Sequence, residues 1–137
     1  MAGPVKPVTP TATEILVGVE RMVMYPIEVN GGNTVRARFS FDENVRITGI
    51  TVMSATVATV GAYTLQAVRT ADAKNLLSAA SFDLTGLAAA TWTDMTLSAT
   101  PADLELNANA DAYVDFISDN AGLDATGVYL RVTAVVI

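Results

Sequence analysis

The chain has 137 residues with no cysteine and no histidine. That length supports one self-sufficient core, and the two absences exclude a disulfide framework, a thiolate metal site and most acid–base, redox and zinc mechanisms. The net charge of −6 is split unevenly, six Lys/Arg against five Asp/Glu over residues 1–70 and two against nine over residues 71–137, so the acidic half lacks the basic footprint that direct nucleic-acid binding needs.

The asymmetry reads either as solubility or as unlike patches that meet between neighbouring copies. Apolar residues make up 51 %, largely Ala and Val beside abundant Thr, a composition that suits pleated sheet. No run of about 18 apolar residues occurs, so no membrane partner or span is expected. Acid–base chemistry by paired carboxylates remains possible in principle, but an enzyme is not the expectation, and no cofactor is implied.

Residues 1–14 carry Pro4, Pro7 and Pro10. These exclude helix and favour an extended, polyproline-like arm, either loose or laid on a neighbouring subunit through Val5, Val8 and Ile15. The first seven residues lack the apolar core of a signal peptide, so the protein is expected to stay in the cytoplasm that makes it. From Ile15 to Val29 both faces are apolar, Ile15, Val17 and Val19 on one, Leu16, Met22 and Met24 on the other. This pattern asks for cover on both sides. Pro26 predicts two short strands about a kink.

Asn30-Gly31-Gly32-Asn33 is a turn. Thr34 to Phe41 then alternates, with Val35, Ala37, Phe39 and Phe41 inward and Arg36, Arg38 and Ser40 outward. Val45 and Ile47 continue the inward row until Gly49 shifts the phase to Ile50 and Val52, the mark of a β-bulge. Arg36, Arg38 and Arg46 are expected to share one outer face, either solvated or a docking patch. Ala62 to Thr70 reads as a strand. Ala71 to Ala80 offers a place for a short helical turn capped by Asp72, with a loop as the alternative. Short strands follow at Ser81–Leu84 and Trp92–Ser98, and Trp92, the single tryptophan, is expected in the core.

The C-terminal stretch has the clearest pattern. Val128, Leu130, Val132, Ala134 and Val136 face one way, and Tyr129, Arg131, Thr133, Val135 and Ile137 the other. Ala112–Ser118 puts Val114 and Phe116 inward. The nine residues Asp119 to Gly127 are rich in turn formers, and the two strands are read as a hairpin. On that reading Tyr113, Ile117, Tyr129, Val135 and Ile137 share an outer face whose apolar content asks for a neighbouring subunit. Asp111, Asp115, Asp119, Asn120 and Asp124 are a dense set of hard oxygen ligands, but their spacing does not fit a regular calcium loop, and no metal is assigned.

Eight or so short strands at roughly 8–15-residue spacing predict an all-β fold, a two-sheet antiparallel β-sandwich over residues 15–137, jelly-roll-like, behind the N-terminal arm. Ser81-Phe82-Asp83-Leu84-Thr85-Gly86-Leu87, Trp92-Thr93-Asp94-Met95-Thr96-Leu97, Ala112-Tyr113-Val114-Asp115-Phe116 and Gly127-Val128-Tyr129-Leu130-Arg131-Val132 together resemble the small jelly-roll virion proteins of tailed bacteriophages, the head decoration (cement) type among them. The likeness spans roughly residues 35–137 and is one of pattern. It implies a non-enzymatic protein on the virion surface, made in the host cytoplasm, often trimeric, that clamps subunits of the major capsid protein. The arm, then the three arginines, then the outer hairpin face would be its contacts, the last as the trimer seam. The alternative is a carbohydrate- or receptor-binding module of a tail or fibre, using Tyr113, Tyr129 or Trp92 as a stacking surface.

Overall fold

The computed structural model describes residues 17–28, 34–56, 63–78, 82–83, 88–118 and 127–137. The expected arm with Val5, Val8 and Ile15, the Asn30–Asn33 turn and the Asp119–Asp124 loop lie outside them. Among the described residues ten strands are formed: β1 (Glu20–Ile27), β2 (Thr34–Phe39), β3 (Val45–Ser54), β4 (Tyr63–Arg69), β5 (Lys74–Asn75), β6 (Phe82–Asp83), β7 (Thr93–Asp94), β8 (Glu105–Leu106), β9 (Ala112–Ser118) and β10 (Val128–Val136). Among the described residues the only helical piece is a 3-10 turn at Pro101–Leu104, and no helix is long and apolar enough to cross a membrane.

The strands make two antiparallel sheets. The first runs β1-β10-β3-β7, with β8 also on β3; the second runs β2-β9-β4-β5, with β6 also on β4. The first four strands alternate between the sheets, and β10 closes the first by inserting between β1 and β3. This is the winding of a jelly roll. The period-2 pattern of the sequence buries the predicted rows: Val45, Ile47, Ile50 and Val52 of β3, Leu130, Val132 and Ala134 of β10, and, from the facing sheet, Phe39, Leu65, Ala67, Val114 and Phe116.

The bulge falls where the sequence puts it. Thr133 pairs with Gly49 and Ala134 with Ile47, so Thr48 is the extra residue. A Cβ on Gly49 would stand 2.6 Å from Thr133 Oγ1, so this position is glycine because the neighbouring strand already fills the space.

Several expectations are corrected. The two C-terminal strands do not form a hairpin: β9 pairs with β2 and β4 in one sheet, β10 with β1 and β3 in the other. Alternation says which side chains face inward, not which strand lies alongside. Pro26 does not split its strand, because β1 is the edge of its sheet and an edge strand tolerates a missing N–H. Of the two readings of Ala71 to Ala80 the non-helical one holds: residues 70–73 form a tight turn into β5, with Asp72 Oδ1 accepting from the Lys74 N–H at 3.2 Å. Trp92 is half-buried on an outer face.

Candidate functional site

The described residues present two outer sheet faces and an end cleft, and each has a different chemistry. On the second sheet β2 and β9 set Arg36 opposite Asp115 and Arg38 opposite Tyr113. Arg36 Nε donates to Asp115 Oδ1 at 2.7 Å and Nη2 to Oδ2 at 2.9 Å, a bidentate fork with geometry as well as charge. The same guanidinium lies 3.8 Å from the centre of the Tyr113 ring, a cation–π contact. Arg38 Nη1 donates to Asp111 Oδ2 at 2.9 Å and Thr70 Oγ1 to the same oxygen at 3.1 Å. These bonds, Arg38 first, hold the Asp111 carboxyl below the usual range. Asp115 is buried with only 6 % exposed. Among the described side chains this face pairs Arg36 and Arg38 within itself and ties three strands together.

The end cleft, of about 310 Å3, is lined by Arg69, Asp72, Glu105 and Asn107 among others. Arg69 grips Asp72 with Nε and Nη2 at 2.9 and 2.7 Å, and its Nη1 reaches the carbonyls of Ala102 and Glu105 at 3.0 and 2.8 Å. The guanidinium fastens the β4–β5 turn to the 3-10 turn, and its donors are spent in doing so. Arg69 above all, then the Lys74 N–H, lowers the Asp72 carboxyl to about 2.

The outer face of the first sheet differs. Its rows, read across β1, β10 and β3, are Pro26–Tyr129–Met53, Met24–Arg131–Thr51, Met22–Thr133–Gly49 and Glu20–Val135–Arg46; Asp94 of β7 continues the second beyond Thr51 and Glu105 of β8 the fourth beyond Arg46. Met22, Met24 and Tyr129 are 57, 47 and 37 % exposed. Arg131 crosses this surface with its guanidinium 4.4 Å from the Trp92 ring centre and its Nε donating to Thr51 Oγ1 at 3.1 Å.

The predicted contact residues therefore separate. Tyr113, Ile117, Arg36 and Arg38 lie on the second sheet, while Met22, Met24, Arg46, Tyr129 and Val135 lie on the first, with Ile137 just past its last strand. The shared arginine face does not exist, because β2 and β3 belong to opposite sheets. Arg46 instead faces Glu105 at 4.0 Å, with its buried Nε unpartnered. Ile117 no longer adjoins Val135 and Ile137. Reasoning from sequence missed Arg131, Met53 and Asp94. The signal was present for one of them and for Trp92: Met95 on the inward row puts Trp92 and Asp94 outward. The Asp111–Asp124 oxygen set is also divided, since Asp111 and Asp115 are held by arginines. Among the described residues no three acidic side chains gather to hold a cation.

No family model and no curated protein matches the chain. Among solved structures it is similar to a chain of the T13 particle of infectious bursal disease virus, at TM-score 0.40 and 9 % identity over 88 % of this chain and 32 % of that one. A second, from the Gt strain of the same virus, gives 0.35 and 12 % over the same shares. The chain spans about a third of the length of either. A likeness this shallow says nothing of activity or partners. The fold rests on the strand order itself.

Proposed function

We propose that the protein is a non-enzymatic structural protein of a virion, a tailed-phage head decoration (cement) protein that binds the capsid surface and bridges subunits of the major capsid protein. The observation that carries this reading is the contrast between the faces. Among the described side chains, one sheet and the end cleft spend their charges internally, while the other sheet presents large apolar side chains on its outer wall. A wall of that kind suits contact with another folded surface better than a small substrate, which needs a concave pocket with convergent polar groups.

Cement stabilises a shell by linking neighbouring subunits, so several modest contacts on one rigid body act through effective concentration. The arm, with Val5, Val8 and Ile15, is the segment that reaches an adjacent capsid subunit, and the sandwich is the body, self-associated as a homotrimer on the virion surface after synthesis in the host cytoplasm. The sugar-binding alternative is less well supported: Arg36 stands on the Tyr113 ring and Arg131 on Trp92, which leaves Tyr129 without a second platform.

The test is co-sedimentation with cognate heads that lack the protein, using the full chain and a chain without residues 1–14. Saturable binding that raises the temperature at which heads rupture is expected, with occupancy reduced by the truncation. Unchanged occupancy would refute the role of the arm. Absence of binding to heads, with saturable glycan binding lost on Tyr129→Ala, would replace the reading by its alternative.

A further inference from the structure

We propose that the outer face of the first sheet is the seam between copies of this chain, with Arg131 of one copy set against Asp94 of the next. The proposal deepens the self-association in the reading above and rests on that part of it alone.

Four observations converge. The exposed large apolar side chains among the described residues, Val17, Met22, Met24, Tyr129 and Ile137, all lie on β1 and β10 or directly flank them, and none lies on the other sheet. Met22, Met24 and Tyr129 share the outer face of the two paired strands, and such a patch marks an interaction surface. Next, Arg131 is the one arginine among the described residues with no carboxylate in ion-pair reach, since Arg21, Arg36, Arg38, Arg46 and Arg69 each face one. It is nonetheless half-buried and fixed by Trp92 and Thr51. A cation locked in place before it meets its counter-charge is preorganised for a carboxylate from outside.

Third, that carboxylate is on the same face of the same chain. The Asp94 side chain is exposed, its carboxylate makes no hydrogen bond or ion pair among the described residues, and it continues the row of Arg131 and Thr51. It lies two strand spacings from Arg131, about 9–10 Å. The face thus holds one uncommitted cation, Arg131, and uncommitted carboxylates at Asp94 in the same row and at Glu20 at the start of β1, among Met, Trp and Tyr side chains, the residue types enriched with Arg at interface centres. A second copy supplies both matching charges at once; an unrelated surface would have to reproduce both. Finally, Pro26 within β1 removes an N–H from the edge strand, which disfavours association by strand addition and leaves the face as the route.

The experiment is light scattering on the full chain over a wide concentration range, with Arg131→Asp, Asp94→Arg and the double exchange. Each single change is expected to weaken association at least about tenfold by setting like charges together, and the double exchange to recover to within about threefold of the parent. Should Arg131→Asp lower the melting temperature, Met24→Glu on the exposed edge repeats the test without touching the Trp92 stack, and loss of association is again expected. Single changes that leave the mass unchanged, a double exchange no better than the singles, or a parent that is monomeric throughout overturn the seam. Co-sedimentation of the same proteins with heads separates the two readings. A monomer that binds heads removes the seam and keeps the decoration role; an oligomer that does not bind heads does the reverse.

Discussion

The bulge in β3 makes a quantitative test of the register on which the first sheet depends. Gly49 has no left-handed backbone to require glycine; the constraint is Thr133, whose Oγ1 would lie 2.6 Å from an alanine Cβ while its own Cβ stays at 4.0 Å. Gly49→Ala therefore meets one hydroxyl and nothing else. A β-branched side chain is stiff about χ1, and overpacking of this kind costs about 1–3 kcal/mol. Alanine returns about 0.4–1 kcal/mol by restricting the unfolded chain, so the net loss is about 1–2 kcal/mol. For a domain of this size that is a fall of about 3–10 °C in Tm. Urea unfolding should show a lower midpoint with an unchanged slope. Thr133→Ala removes the offending oxygen at small cost of its own, since that hydroxyl makes only an exposed 3.3 Å bond from Thr48 Oγ1. The double-mutant cycle should return a coupling of at least about 1 kcal/mol. A Gly49→Ala protein as stable as the parent, or a coupling below about 0.3 kcal/mol, would refute the packing argument.

Phe116→Ala empties a fully buried ring position between the sheets and should cost about 3–5 kcal/mol in chemical denaturation, a large share of a typical domain's stability. Arg36→Lys keeps the charge but loses the bidentate fork and the guanidinium face on Tyr113, so its urea midpoint should fall although Arg36 is partly exposed. The Asp72 carboxyl titrates at about 2 in the fold against about 4 in an unfolded chain. A depressed carboxyl stabilises above its unfolded pKa and loses that contribution as pH falls. The protection factors of the β4–β5 turn amides, with exchange corrected for its intrinsic pH dependence, should therefore fall from pH 4 toward pH 2, and Asp72→Asn should flatten that dependence.

What could be read from the residues was the orientation of each strand. Leu130, Val132 and Ala134 go in and Arg131 and Thr133 go out because burial of one face imposes period 2. The bulge was legible because Gly49 breaks that phase. Strand partnership was not legible, since β9 and β10 carry the same alternation whether they pair with each other or with strands far away in sequence. This ambiguity joined Tyr113 and Ile117 to Tyr129 and Val135, and the same ambiguity at β2 and β3 joined Arg46 to Arg36. The first-sheet face emerged only when Met22 and Met24 of β1 were found beside β10. The burial of Asp115 could not be read either, because it depends on Arg36 arriving from a distant strand.

The position of β10 has a consequence for how the protein is made. Glu20 opens the pairing of β1 by facing Val135, and Val45 opens that of β3 by facing Val136. β1 and the β10-facing edge of β3 thus wait for a strand made well after them before they are paired. Until then β1 and β3 hold open edges beside apolar rows, the condition in which nascent chains adhere to one another. Non-local pairing of this kind belongs with folding on the millisecond-to-second scale. Closure therefore comes as a late, collective event, and lengthening the interval before it, by slow translation of residues 128–136 or by their truncation, would divert the chain into aggregates.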